Sequence, residues 1–213
     1  MNRFKIALTS LAMLAVCNLS VTAQNLFNNS SFEDPVVVTG TGPFTNWETF
    51  SLDADQDTGA DVARNSTSMP RTGAQSLEVA IDNVGNSFAG VFQDVSVTAG
   101  DMVNYSGWHK SLLDGGGIEI RIEWRDSVND VEISRTPNST PMPGTEYELF
   151  SYDEVVPAGA DTARAVYAIQ SFGGVVNQQL FLDDFSFTAV PEPASLGLLG
   201  MGLCMLLGLR RRK

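Results

Sequence analysis

Two chemistries have the residue types they need in this sequence: stacking against a sugar ring, and binding of a hard cation. The apolar side of a pyranose packs on an exposed aromatic ring, with hydrogen-bonding groups beside it. Trp108 is the tryptophan best placed for that use. In an extended chain it points away from Val103 and Tyr105, alongside Ser106 and Lys110. On this reading Lys110, Glu119, Arg121 and Glu123 supply hydrogen bonds from a neighbouring strand; packing of Trp108 between two sheets is an equal alternative. Trp124 shares the face of Ile118, Ile120 and Ile122, and Trp47 opens a strand, so both read as core. The run Asp53-Ala54-Asp55-Gln56-Asp57-Thr58-Gly59-Ala60-Asp61 has the alternating acids of a calcium loop. Thr58 and Arg64 stand where an EF-hand requires Gly and Glu, so the run reads first as a solvated acidic loop and second as a weak calcium site.

Catalytic constellations are poorly supplied. His109 is the single histidine and falls on the face of Val103 and Tyr105, a position for a buried, satisfied imidazole rather than the base of a triad. The two cysteines, Cys17 and Cys204, lie near the chain ends, which leaves no zinc cluster between them and no disulfide within the central segment. Paired carboxylates for glycoside hydrolysis remain formally available, but so many acids make chance pairs common.

Residues 24–190 carry seven cations against 24 carboxylates, a formal net charge of −17. Such a surface excludes nucleic acid as a partner and disfavours anionic lipid; it suits solubility and divalent cations. The 167 residues of this segment are the size of one domain. Its pattern is β throughout. Ile118, Ile120, Ile122 and Trp124 alternate with Glu119, Arg121, Glu123 and Arg125, the signature of a strand with one buried face. Similar alternation marks Leu77–Ile81 and Val91–Val97. Further strands are predicted over 46–52, 102–110, 128–135, 146–155, 162–172 and 178–188, with Gly, Pro, Asn and Asp clusters as turns. About ten short strands predict an all-β, antiparallel β-sandwich, a jelly roll.

The ends have a different character. Arg3 and Lys5, the apolar Ile6–Val16 and the small-residue site Val21-Thr22-Ala23 predict a signal peptide over 1–23, cut after Ala23. A lipoprotein-type signal ending at Cys17 is the second reading, weakened by the bulk of Val16. At the other end, Pro191-Glu192-Pro193 precedes an apolar run from Leu196 to Leu209 and the cations Arg210, Arg211, Arg212 and Lys213. As a helix that run would reach roughly 21 Å, short of the ~30 Å hydrocarbon core. The cations should stay cytoplasmic and leave the domain outside.

This tail resembles the PEP-CTERM sorting signal. The resemblance implies transient residence in the inner membrane, processing by exosortase-type machinery at Pro191, Glu192 and Pro193, and delivery to the cell surface or an exopolysaccharide matrix. The central segment, with Phe32-Glu33 near its start, Gly73-Ala74-Gln75-Ser76-Leu77 in its middle and Phe181-Leu182-Asp183-Asp184-Phe185 at its end, is similar to galactose-binding-like jelly rolls. Among these it looks most like carbohydrate-binding modules of the family 4, 9 and 22 type. That resemblance implies a structural calcium ion on Glu33 and Asp184, with Asp183 adjacent and backbone oxygens from Ser31 and from Thr72 to Ser76. The expected protein is therefore an exported, non-catalytic polysaccharide binder. A structural or adhesive matrix protein without a glycan site is the alternative, and a small jelly-roll glycosidase or lyase the more distant one.

Overall fold

The alternating pattern requires two sheets that bury one face each. The computed structural model, which describes residues 23–52, 61–82, 85–114 and 116–190, contains them. In chain order the strands are β1 (Thr41–Gly42), β2 (Glu48–Ser51), β3 (Val62–Ser66), β4 (Ser76–Ile81), β5 (Phe88–Ser96) and β6 (Met102–Asp114). They continue with β7 (Gly117–Asp126), β8 (Val131–Arg135), β9 (Glu148–Val155), β10 (Thr162–Gln170) and β11 (Gln178–Val190). A six-stranded sheet has the order β1-β3-β4-β11-β6-β9, a five-stranded sheet the order β2-β5-β10-β7-β8, and neighbouring strands pair antiparallel throughout the described residues. The fold is an all-β sandwich, and the described residues contain no helix.

Inward residues follow the predicted alternation. Ile118, Ile120, Ile122 and Trp124 of β7 are buried against Leu77, Val79 and Ile81 of β4 and Phe185 and Phe187 of β11. Trp47 joins this core, its indole N–H donating to Asn29 O at 3.1 Å. The N-terminal segment is not a regular strand, yet Phe27 and Phe32 are buried against Trp47 and Phe185. Gln93, inward on β5, anchors it by accepting from Asn28 N and donating to Asn28 O. His109 is buried, within 2.8 Å of the Tyr167 hydroxyl. Burial lowers its pKa to about 4, with the Glu148 charge pulling the other way.

Two strands escaped the sequence pattern. β1 is two residues long, and β3 reads Val-Ala-Arg-Asn-Ser, whose buried Asn65 and Ser66 hide any alternation. Asp61, expected in a solvated loop, is instead buried and accepts from Asp82 N at 3.1 Å. The rest of that acidic run, the signal peptide apart from Ala23, the tail helix and Pro191, Glu192 and Pro193 lie outside the described residues.

Candidate functional site

The outward face of the five-stranded sheet collects aromatic and charged side chains in register. Phe88, Gly90 and Phe92 occupy alternate outward positions of β5, and Phe50 of the neighbouring β2 pairs with Gly90. An added Cβ at Gly90 would come within 2.5 Å of the Phe50 ring, so the glycine is what lets that ring lie across the sheet. Phe50 sits 6.4 Å from Phe88 and 6.3 Å from Phe92, centroid to centroid, forming one aromatic group. Two outward residues of the central strand β10 are short: Val166 and Ala168 are 1% and 4% exposed although they face away from the core. Taller neighbours cover them. On the far side of β10 stand Glu119, Arg121 and Glu123 of β7, paired in register with Ala168, Val166 and Arg164. An aromatic row and a charged row thus flank and cover this buried strip. Phe172, 62% exposed, sits over Gly117 at one end.

The charged row is bonded within itself. Arg121 lies 3.3 Å from Glu119 and 2.9 Å from Glu123, and Asn138 donates to the second oxygen of Glu119 at 2.8 Å. Arg164 donates to both oxygens of Asp94, at 2.8 and 2.9 Å, and its guanidinium carbon stands 4.1 Å from the Phe92 ring centroid. Asp94, Arg164, Glu123 and Arg135 form a row of alternating charge across four strands.

Trp108 and Lys110 are elsewhere, which corrects the sequence reading. β6 and β7 are consecutive in the chain but belong to different sheets, so Trp108 and Lys110 face the opposite side of the sandwich from Glu119, Arg121 and Glu123. A link between β-strands can form a hairpin or cross to the other sheet, and alternation alone does not distinguish the two. Trp108 does lie on an outward face, but Arg71 covers its ring at 3.8 Å from the centroid. Lys110 stands 5.4 Å from the centroid of Tyr147.

Of the residues expected around calcium, Glu33, Asp183 and Asp184 all reach the segment 71–75, which includes Thr72. A bulge in β11 makes this possible: the register shifts between Asp183 and Ser186, and Asp184 adopts φ 48°. Both aspartates then reach the segment 71–75. Asp183 Oδ2 accepts from the backbone N–H groups of Arg71 (2.9 Å) and Thr72 (3.1 Å), and its Oδ1 from Asp184 N. Asp184 Oδ1 accepts from the Thr72 hydroxyl at 2.8 Å, while Oδ2 pairs with the Arg71 guanidinium. Glu33 Oε1 accepts from Ala74 N and Gln75 N, at 2.9 and 3.0 Å. Ser76 Oγ donates to Ser68 O, and Ser31 sits in the turn before Phe32, whose carbonyl accepts from Gln75 Nε2.

A calcium ion needs six to eight oxygens aimed at one point. Here the carboxylate oxygens are aimed at N–H, O–H and guanidinium donors. Among the described residues no group of three or more His, Cys, Asp or Glu is arranged to hold a metal. As it stands the arrangement is a backbone segment clamped by three carboxylates. Asp183 is fully buried, and desolvation raises its carboxyl to about 6, against the N–H donors of Thr72 and Arg71 and with help from the Asp184 charge.

Comparison with known proteins places both parts of the chain. Residues 189–213 match the PEP-CTERM protein-sorting motif, which marks an exported protein handled by sorting machinery. The fold is similar to the CBM22-1 xylan-binding domain of Xyn10C from Paenibacillus barcinonensis, at 16% identity, covering 76% of this chain and 93% of that one, with a TM-score of 0.52. A cyclase from a Fischerella species in its apo form is 13% identical, with coverages of 81% and 98% and a TM-score of 0.56. The enzymatically active domain of tailspike protein 4 from bacteriophage CBA120 is 15% identical with a TM-score of 0.60; the match covers 78% of this chain and only 21% of the tailspike. Comparison with the curated proteins finds no match. The class is an exported protein with a jelly-roll domain of the kind found in carbohydrate-binding modules. More particularly, it is a PEP-CTERM-bearing chain whose sandwich carries an aromatic and charged face on its five-stranded sheet.

Proposed function

We propose that this protein binds polysaccharide without acting on it, through the outward face of the five-stranded sheet. The observation that carries the reading is the aromatic group Phe50, Phe88 and Phe92 standing on the same outward face as the polar row Glu119, Arg121 and Glu123. Aromatic rings with fixed hydrogen-bonding groups beside them are what an extended sugar chain requires. The xylan-binding neighbour supports the same reading. Glu119 and Glu123 are both bound to Arg121, so neither is poised as the acid and base of a glycosidase. The sorting motif supports passage through the inner membrane, processing by an exosortase-type enzyme and residence at the cell surface or in an exopolysaccharide matrix.

A glycan array that includes the producing organism's own exopolysaccharide tests this. Binding that is lost in Phe50→Ala and Phe92→Ala but kept in Trp108→Ala is the expected result. Loss in Trp108→Ala alone would move the site to the six-stranded sheet, and absence of any glycan binding would leave the structural, adhesive role.

A further inference from the structure

The charges around the aromatic group narrow the class of glycan. Arg121 is shared between Glu119 and Glu123. Arg164 makes two parallel bonds to Asp94, the fork geometry that a carboxylate ligand would itself seek. Arg135 is 2.6 Å from Glu132 and 3.8 Å from Glu123, and Arg125 is 3.0 Å from Asp130. Each guanidinium on this face is thus already matched by a carboxylate of the protein. On the aromatic side, exposed Glu48 stands in register with Phe92 and adds a further negative charge. The formal charge of −17 over residues 24–190 gives the same sign at longer range.

An acidic sugar would have to displace one of these carboxylates or sit beside them. An ammonium group would instead meet the exposed Glu48 beside the ring of Phe92. Resting on the polysaccharide-binding reading above, we infer that this face takes glycans free of acid groups and gains affinity from free amino groups on the chain. The ligand class is a neutral or amino-substituted polysaccharide, and polyuronates are excluded.

Affinity electrophoresis of the full chain in gels containing soluble polysaccharides separates these classes. Hydroxyethyl cellulose and xylan serve as neutral probes, glycol chitosan as the amino probe, and carboxymethyl cellulose and polygalacturonate as the acidic ones. Acidic probes should bind about tenfold or more weakly than the best neutral or amino probe. Raising the salt to about 0.5 M, where the Debye length is roughly 4 Å, should narrow that gap. Phe92→Ala should lose glycol chitosan as well as the neutral glycans; retention would mean diffuse charge attraction and overturn the inference. The double substitution Glu119→Gln, Glu123→Gln releases Arg121 and should raise affinity for carboxymethyl cellulose by about threefold or more; no gain would contradict the pairing argument. Tightest binding to an acidic probe overturns this inference and leaves polysaccharide binding standing. No binding to any probe removes both.

Discussion

The guanidinium of Arg71 lies 3.8 Å from the centroid of the Trp108 ring while the same group pairs with Asp184. One side chain therefore joins the β3–β4 connection to both β6 and the β11 bulge. Its pair with Asp184 is about a quarter exposed on each side, so water screens part of the attraction. Cation–π contact adds about 0.5–1 kcal/mol at such sites. Arg71→Ala should lower unfolding stability by about 1–2 kcal/mol in urea titrations. Arg71→Lys should recover only part of this, because a lysine lacks the planar group that stacks on the indole.

Gly73 tests the clamp more sharply. It has φ +61°, and an added Cβ would fall 2.1 Å from Glu33 Oε1. Gly40 has φ +79° with nothing within 4 Å of its added Cβ. Gly40→Ala should cost about 1 kcal/mol from backbone strain alone. Gly73→Ala adds displacement of a carboxylate that holds two backbone N–H groups, and should cost about 2–4 kcal/mol in the same assay. Equal losses at the two glycines would mean that Glu33 does not hold the segment.

Calcium should not stabilise the domain through Glu33 and Asp184. Their oxygens already accept from Ala74, Gln75, Thr72 and Arg71. A ligand bound only by the native state would add about 2.7 kcal/mol at a hundredfold excess over its Kd. Thermal melts in calcium, magnesium and chelator should coincide apart from a shared screening effect. A calcium-specific rise that disappears in Glu33→Ala would show that the ion displaces Arg71 and rebuilds the cluster.

Acid stability depends on two buried groups of opposite sign. His109 binds its proton near pH 4 in the folded state against 6.5 unfolded, so its contribution is present above pH 6.5 and is lost as pH falls from there to 4. Asp183 binds its proton near pH 6 folded against 3.8 unfolded. Its folded form takes up the proton first, so acidification from pH 6 towards 3.8 favours folding. The two should largely cancel between pH 4 and 6. His109→Gln exposes the imbalance: the advantage of the native sequence over this variant should shrink by about 2–3 kcal/mol between pH 7 and 4. Urea midpoints at several pH values measure it, and a pH-independent difference would show that His109 titrates normally.

The strands with one polar face were legible. β7 alternates Ile and Trp with Glu and Arg, and its inward set is the buried one. β5 was legible as a strand but not as a site. The alternation over Val91–Val97 puts Phe92 on the opposite face, but an apolar ring there reads as packing, and Phe88 and Gly90 precede the alternating run. Gly90 between Phe88 and Phe92 was the available signal, since an interior strand glycine marks a close approach. The separation of Trp108 from Glu119, Arg121 and Glu123 was not legible, because it depends on which sheet receives β7. The meeting of Glu33 with Asp183 and Asp184 was legible through motif order. What their oxygens bind was not: that depends on the Asp183–Ser186 bulge and on where segment 71–75 lies.

Backbone amide chemical-shift mapping during titration with a bound oligosaccharide tests the central claim most directly. Binding at the five-stranded sheet should move the amides of Phe50, Gly90, Phe92, Val166, Ala168 and Arg121, and leave those of Trp108, Leu149 and Tyr147 in place. Perturbations confined to Trp108, Leu149 and Tyr147 would contradict the account and put the sugar on the six-stranded sheet.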